Sequence, residues 1–307
     1  MIPTYDELPL VEGLGLPHAW DVLERDLGSL SLIEPEHRLA AAAEIRIGES
    51  LSLNLPLDML DPPLFGRPTL RHRVIEVGRN TFEDVLDNFN PQSSSQWDGL
   101  RHVRAREYGF FGGLTSFDHP SSPLGIGHWA RQGIVGRGVL LDVGRWSERQ
   151  GSPIDPFAGD EIDVATLEAC AIGQGVTLRT GDIVCIRTGW VSAYRVLDAT
   201  GRGAPELSER FSGLRADADM ARFVWDHGIA AICVDNPALE SAPGDPGVGS
   251  LHRRLIPLLG TAVAELLDLD LLARRCDELQ RWTFLFAAVP LPLPDGVSSP
   301  SNALAVL

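Results

Sequence analysis

The chain has 307 residues, a net charge of −16 and 26 basic residues, every one of them arginine. A chain this acidic repels phosphate backbones and anionic lipid, so neither nucleic acid nor a membrane surface is the expected partner. Without lysine there is no Walker A loop, no Schiff-base lysine and no lysine general base; a hydrophobic fraction of 44% and a charged fraction of 22% are those of an ordinary globular protein.

The N-terminal third is rich in Pro, Leu and short turns. Glu36–Ile47 is Ala-rich behind Pro35 and predicts a helix. Glu49–Leu55 and Arg71–Val77 alternate polar and apolar residues, the pattern of half-buried strands. Asn88–Gly99 is almost all hydrogen-bonding side chains between Pro91 and Gly99, and composition alone reads it as a solvated loop. Gly138–Val143 predicts a buried strand, and Gly136-Arg137-Gly138 before it a turn rather than a dinucleotide fingerprint, since a third glycine is lacking. Asp163–Ala171 reads as an N-capped helix, Ile183–Arg187 as a buried strand after a Gly-Asp turn, and Asp217–His227 as a helix stopped by Gly228. Ile229–Val234 and Thr283–Val289 predict further buried strands. His252–Leu259 and Val263–Arg275 carry helical spacing broken at Gly260. Alternating buried strands and helices predict an α/β or α+β layered core in one domain.

Cys170, Cys185, Cys233 and Cys276 form no CxxC pair and sit in apolar or helical contexts. They predict buried, reduced thiols and a cytoplasmic setting. The start shows no basic region followed by an apolar run, so no signal peptide is expected. No apolar stretch reaches the ~18 residues that a membrane span requires.

There is no GxSxG elbow and no HExxH. Two polar clusters remain. In the first, Gln92, Gln96, Asp98 and His102, a carboxylate and an imidazole four residues apart can converge from a loop entering a helix. Neutral imidazole with charged carboxylate is a donor set for a divalent cation. In the second, His252 opens an apolar helix after a Gly/Pro/Asp-rich loop, and Glu265 lies in the apolar run TAVAELLDLDLL. Each has a plainer reading, His252 as a cap or surface pair and Glu265 on an exposed helix face. His119 and His128 fall in a loop-rich stretch, with His128 beside Trp129; His18, His37, His72 and His227 read as surface residues.

Together these segments resemble the cyclase family of metal-dependent hydrolases, the family of bacterial kynurenine formamidase, isatin hydrolase and trans-dienelactone hydrolase. The family motif H-x-G-T-H-x-D-x-P-x-H aligns with Gln92 through Gln96, Trp97 and Asp98 to His102, in the form of a longer branch reading S/T-Q-W-D-G-L-x-H. GIVGRGVLLDV, GDIVCIRTGW, VDNPALES, LHRRLIP with ELLDLDLLA, and the C-terminal VPLPLPDGVSSPSNALAVL follow in family order. The resemblance covers residues 28–307 and leaves 1–27 as an N-terminal extension. It implies a single α/β domain with a central mixed sheet, or a barrel-like sheet, flanked by helices in the swivelling β/β/α manner. Both early family histidines are glutamines here, Gln92 and Gln96. The resemblance therefore implies one divalent metal, Mn or Zn, on Asp98, His252 and Glu265, with Gln96 as a fourth ligand. It implies His102 as general acid and base, and hydrolysis of an amide or lactone bond in a small aromatic or cyclic molecule. Trp97, His128, Gln92 and the loop at 117–129 are then expected to shape the substrate pocket, with Arg101 or Arg187 as candidates for a substrate carboxylate. A homodimer or higher homo-oligomer is implied as well. The competing readings are a polyketide-type cyclase or dehydratase, and a metal-free binding protein that keeps the fold.

Overall fold

Four short apolar runs become the parallel centre of one nine-stranded mixed sheet. A computed structural model describes residues 2–116 and 124–307. Its strands in chain order are β1 (Ser50–Ser52), β2 (Arg71–Gly78), β3 (Thr81–Asp87), β4 (Gln96–Asp98), β5 (Ile134–Leu141), β6 (Glu161–Ile162) and β7 (Ile183–Ile186). Then come β8 (Gly213–Leu214), β9 (Ala231–Val234), β10 (Ala262–Glu265), β11 (Thr283–Ala288), β12 (Ser298–Pro300) and β13 (Ala303–Val306). The large sheet runs β1-β13-β11-β5-β7-β9-β10-β4-β12. Strands β5, β7, β9 and β10 are mutually parallel, and the flanking pairings are antiparallel. The sheet curls into a half-barrel flanked by helices, a single α/β domain as the pattern predicted. Parallel strands buried on both faces are continuous apolar runs rather than alternating ones, and β7 and β9 are buried at every position.

Helices Val164–Gly173 and Ala218–Asp226 start where the sequence placed them. The side chains of Asp163 and Asp217 accept from the backbone N–H of Thr166 and Met220, each satisfying a donor the helix leaves open. Tyr5, Leu8, Ala19, Leu23 and Leu27 pack into the same main core as the sheet. The four cysteines are buried and unpaired. No helix among the described residues is long and apolar enough to cross a membrane.

Five local expectations are corrected. The Gly136–Gly138 turn lies inside β5, where glycine is needed for packing: a Cβ on Gly138 would sit 2.2 Å from the Phe284 ring of β11. The early helix is Pro35–Ala42 only, because the chain then turns so that the N–H groups of Ile47 and Gly48 donate to the Leu307 carbonyl. β2 pairs only with β3, in a hairpin exposed on both faces rather than half-buried. The polar stretch 88–99 is not a solvated loop: it ends in β4, buried at all three positions. Two of its hydroxyls are satisfied internally, Ser94 donating to the Pro56 carbonyl, and Ser95 donating to the Leu266 carbonyl and accepting from Leu55 N–H. Finally, 262–265 is strand β10, and the helix begins only at Asp270. Wedged between β9 and β4, those four residues gain two sets of ladder hydrogen bonds, which outweigh the helical spacing of the longer run.

Candidate metal centre

Strands β4 and β10 lie side by side and antiparallel, with Glu265 opposite Gln96 and Val263 opposite Asp98. Alternation along β4 sends Gln96 and Asp98 to one face and Trp97 to the other. Glu265, expected on an exposed helix face, is instead buried at the end of β10. His252 enters from the short helix Leu251–Arg254, whose N-cap Ser250 accepts from Arg253 N–H. One donor atom from each of Asp98, His252 and Glu265 lies within 4.8 Å of the others.

The contacts are specific. His252 Nε2 is 2.9 Å from Glu265 Oε1 and 3.8 Å from Asp98 Oδ2. Gln96 Nε2 donates to Glu265 Oε2 at 2.6 Å, which fixes the amide and leaves its oxygen free. Asp98 Oδ2 and Gln96 Oε1 are buried with no hydrogen-bond partner. Leaving such atoms unpaired costs about 1–3 kcal/mol each, more for a charge. A divalent cation held with His252 and Glu265 would satisfy the Asp98 oxygen. One imidazole nitrogen and two carboxylate oxygens are a donor set that fits a divalent cation.

A residue that the sequence reading missed completes the arrangement. Glu240 Oε2 accepts from His252 Nδ1 at 2.6 Å and from the His252 backbone N–H at 3.1 Å, while Ser250 Oγ donates to Glu240 Oε1 at 2.8 Å. A carboxylate on Nδ1 sets the tautomer and turns Nε2 towards the metal position. Its only sequence signal was its place in the block VDNPALES.

Electrostatics follow from this crowding of carboxylates. Burial opposes the imidazolium of His252, but Glu240, Asp98 and Glu265 together hold its pKa well above the ordinary histidine value. Burial and then the charge of Asp98 push Glu265 up to about 7. Burial also acts on Asp98, but His102, His252 and Arg67 outweigh it and hold its carboxyl below the usual value. The metal-free cluster thus keeps a proton on His252 that a cation would displace.

His102 stands beside the cluster with Nε2 3.7 Å from Asp98 Oδ2. Burial lowers its pKa against the pull of Asp98, which favours the neutral imidazole. Gln92 Nε2 donates to Asp98 Oδ1 at 3.0 Å and lies 3.2 Å from His102 Nδ1, which places Gln92 between the two.

Other expected residues lie elsewhere. Trp97 is a core residue and not a pocket wall: it is fully buried, edge-on to Trp129 and Phe286, and donates its indole N–H to the Ser301 carbonyl. His128 faces Asp26 at 3.3 Å and Arg131 at 2.6 Å rather than this cluster. Arg101 pairs with Asp295, and Arg187 with Asp142 and Asp270. His119 and most of the loop at 117–129 lie outside the described residues.

A family model described as "Putative cyclase" matches residues 51–241. The chain belongs to the cyclase family. A solved structure described as a novel cyclase is 29% identical, with a TM-score of 0.82 over 94% of this chain and 99% of that one. An isatin hydrolase bound to the product analogue thioisatinate is 15% identical, with a TM-score of 0.61 over 89% of this chain and 99% of that one. Isatin hydrolase A from Labrenzia aggregata, bound to benzyl benzoate, is 18% identical, with a TM-score of 0.59 over 89% and 98%. At these identities the two hydrolases share the fold. None of the curated proteins searched matches the chain.

Proposed function

We propose that the chain is a metal-dependent hydrolase of an amide or lactone bond in a small aromatic or cyclic molecule. One observation carries the reading: Asp98, His252 and Glu265, from separate elements, converge within 4.8 Å beside His102 and the partnerless oxygens of Asp98 and Gln96. Asp98, His252, Glu265 and Gln96 would hold one Mn or Zn ion. Such an ion polarises a carbonyl and lowers the pKa of a bound water from 15.7 towards ~7. His102 takes the proton from the attacking water and returns it to the leaving nitrogen or oxygen. Gln92, on both Asp98 and His102, keeps that imidazole at a fixed distance from the ligands.

The partner is proposed to be a second copy of the chain, a homodimer or higher homo-oligomer, and the setting the reducing cytoplasm. The hairpin of β2 and β3 supports the first: Val74, Val77 and Phe82 are 62%, 49% and 63% exposed, and a lone two-stranded hairpin is marginal in water. The four unpaired thiols support the second. The direct test is a panel of aryl formamides and small lactones offered to Mn- or Zn-loaded protein. Turnover abolished by chelator and restored by metal is expected; no turnover across the panel would overturn the reading.

A further inference from the structure

We infer that Arg67 recognises a carboxylate on the substrate, so that the molecules hydrolysed are carboxylate-bearing amides or lactones. This deepens the hydrolase reading and rests on it.

Local sequence fixes where Arg67 points. Phe65 (φ 59°) and Gly66 (φ 66°) are consecutive left-handed residues, and Arg67 is extended at φ −65°, ψ 153°, the conformation a following proline imposes. The turn sets the guanidinium 4.9 Å above the Phe65 ring. One of its N–H groups donates to the Gln92 carbonyl, and the Gln92 amide in turn touches Asp98 and His102. Arg67 therefore stands next to the reacting region, and its charge is felt by Asp98, His102 and Glu265.

Its partners do not account for its charge. The buried arginines Arg101 and Arg137 hold Asp295 and Asp182, and the largely buried Arg187 holds Asp142 and Asp270. Arg67, also largely withdrawn from water, has no carboxylate within ion-pair distance among the described residues. Only the Gln92 carbonyl accepts from it there. A guanidinium has five N–H donors in a fixed fork, so an edge remains for a second acceptor. In the metal-free chain Asp98 and Glu265 offset Arg67 from a distance. A carboxylate on the bound molecule matches that free edge of the fork in a bidentate manner. Phe65, 41% exposed and edge-on to Phe211, offers an apolar wall to the carbon body beside that carboxylate.

The test is calorimetric titration of Mn-loaded protein with benzoate and with its neutral isostere benzamide. Wild type should bind benzoate roughly 10- to 100-fold tighter than benzamide. Arg67→Met should erase that preference and leave benzamide binding alone. Its Mn²⁺ binding should be unchanged or tighter, because a cation beside Asp98 and Glu265 has gone; a merely structural arginine would instead weaken all three. Arg67→Lys keeps the charge without the fork and should lose about 3- to 10-fold on benzoate. Benzoate binding unaltered in Arg67→Met, or no preference in wild type, overturns the inference. If the Met variant does not fold, a change below about 2-fold in Arg67→Lys overturns it. The two readings fail separately. Arg67-dependent benzoate binding with no hydrolysis of any formamide or lactone removes the hydrolase. Hydrolysis that favours carboxylate-bearing substrates no more in wild type than in Arg67→Met removes this inference alone.

Discussion

Replacing Glu240 by Gln should cost metal affinity without touching a ligand. Gln keeps the shape and can still accept from His252 Nδ1, so the change is largely the loss of one negative charge. The wild-type carboxylate makes two contacts to His252, at 2.6 Å to Nδ1 and 3.1 Å to the backbone N–H. Hydrogen bonds to a charged group contribute about 1.5–3 kcal/mol. At about 1.4 kcal/mol per tenfold, that is roughly 10- to 100-fold in Mn²⁺ affinity, the range found for carboxylates that orient a ligating histidine. The pH dependence has a definite sign. Against burial, Glu240 raises the pKa of His252, so in wild type the metal must displace a proton below that pKa. Glu240→Gln weakens this competitor. The deficit should therefore be largest near pH 9, where less proton competes, and should shrink towards pH 7. Chelator-competition titration at both pH values, with thermal melts to confirm folding, measures it. Equal affinity of variant and wild type at pH 9 would refute the orienting role. A deficit identical at both pH values would refute the proton competition.

His102→Ala should lose about 10²- to 10⁴-fold in turnover yet keep its metal, whereas Asp98→Ala should lose both; a metal-free but folded His102→Ala protein would place His102 among the ligands. Asp235, buried and pushed up to about 6, binds its proton more tightly folded than unfolded. Its contribution to stability is thus full below pH ~4 and lost as pH rises through ~6, by up to about 3 kcal/mol. Urea unfolding should show Asp235→Asn gaining on wild type between pH 4 and pH 7, and a constant difference would contradict this. Sedimentation equilibrium should give a dimer or larger at micromolar concentration, and a pure 33.3 kDa species would refute the oligomer.

The parallel centre of the sheet was legible in β7, β9 and the second half of β5, which are continuous apolar runs, with Gly181-Asp182 and Gly228 marking where β7 and β9 begin; the first half of β5 was not, because Gly136-Arg137-Gly138 reads as a turn. Strand β10 was not, because Ala262–Glu265 runs on into a leucine-rich segment whose spacing is also helical, and its two neighbouring strands decide the matter. The site was legible only through resemblance. Asp98 and Glu265 stand far apart in sequence, and no spacing rule shows that β4 and β10 lie side by side. Trp97 was misplaced because its neighbours in the motif are polar, while alternation along β4 sends it to the opposite face. Glu240 and Arg67 carried no signal of their own: each is defined by what it touches, His252 for one and Gln92 for the other.

Metal content tests the central claim most directly. Protein purified without chelator, or titrated with Mn²⁺ or Zn²⁺ after stripping, should hold about one equivalent per chain, and the Asp98→Ala, His252→Ala and Glu265→Ala variants should each hold far less. Wild-type protein that is folded, carries no metal and takes up none on titration would contradict the account.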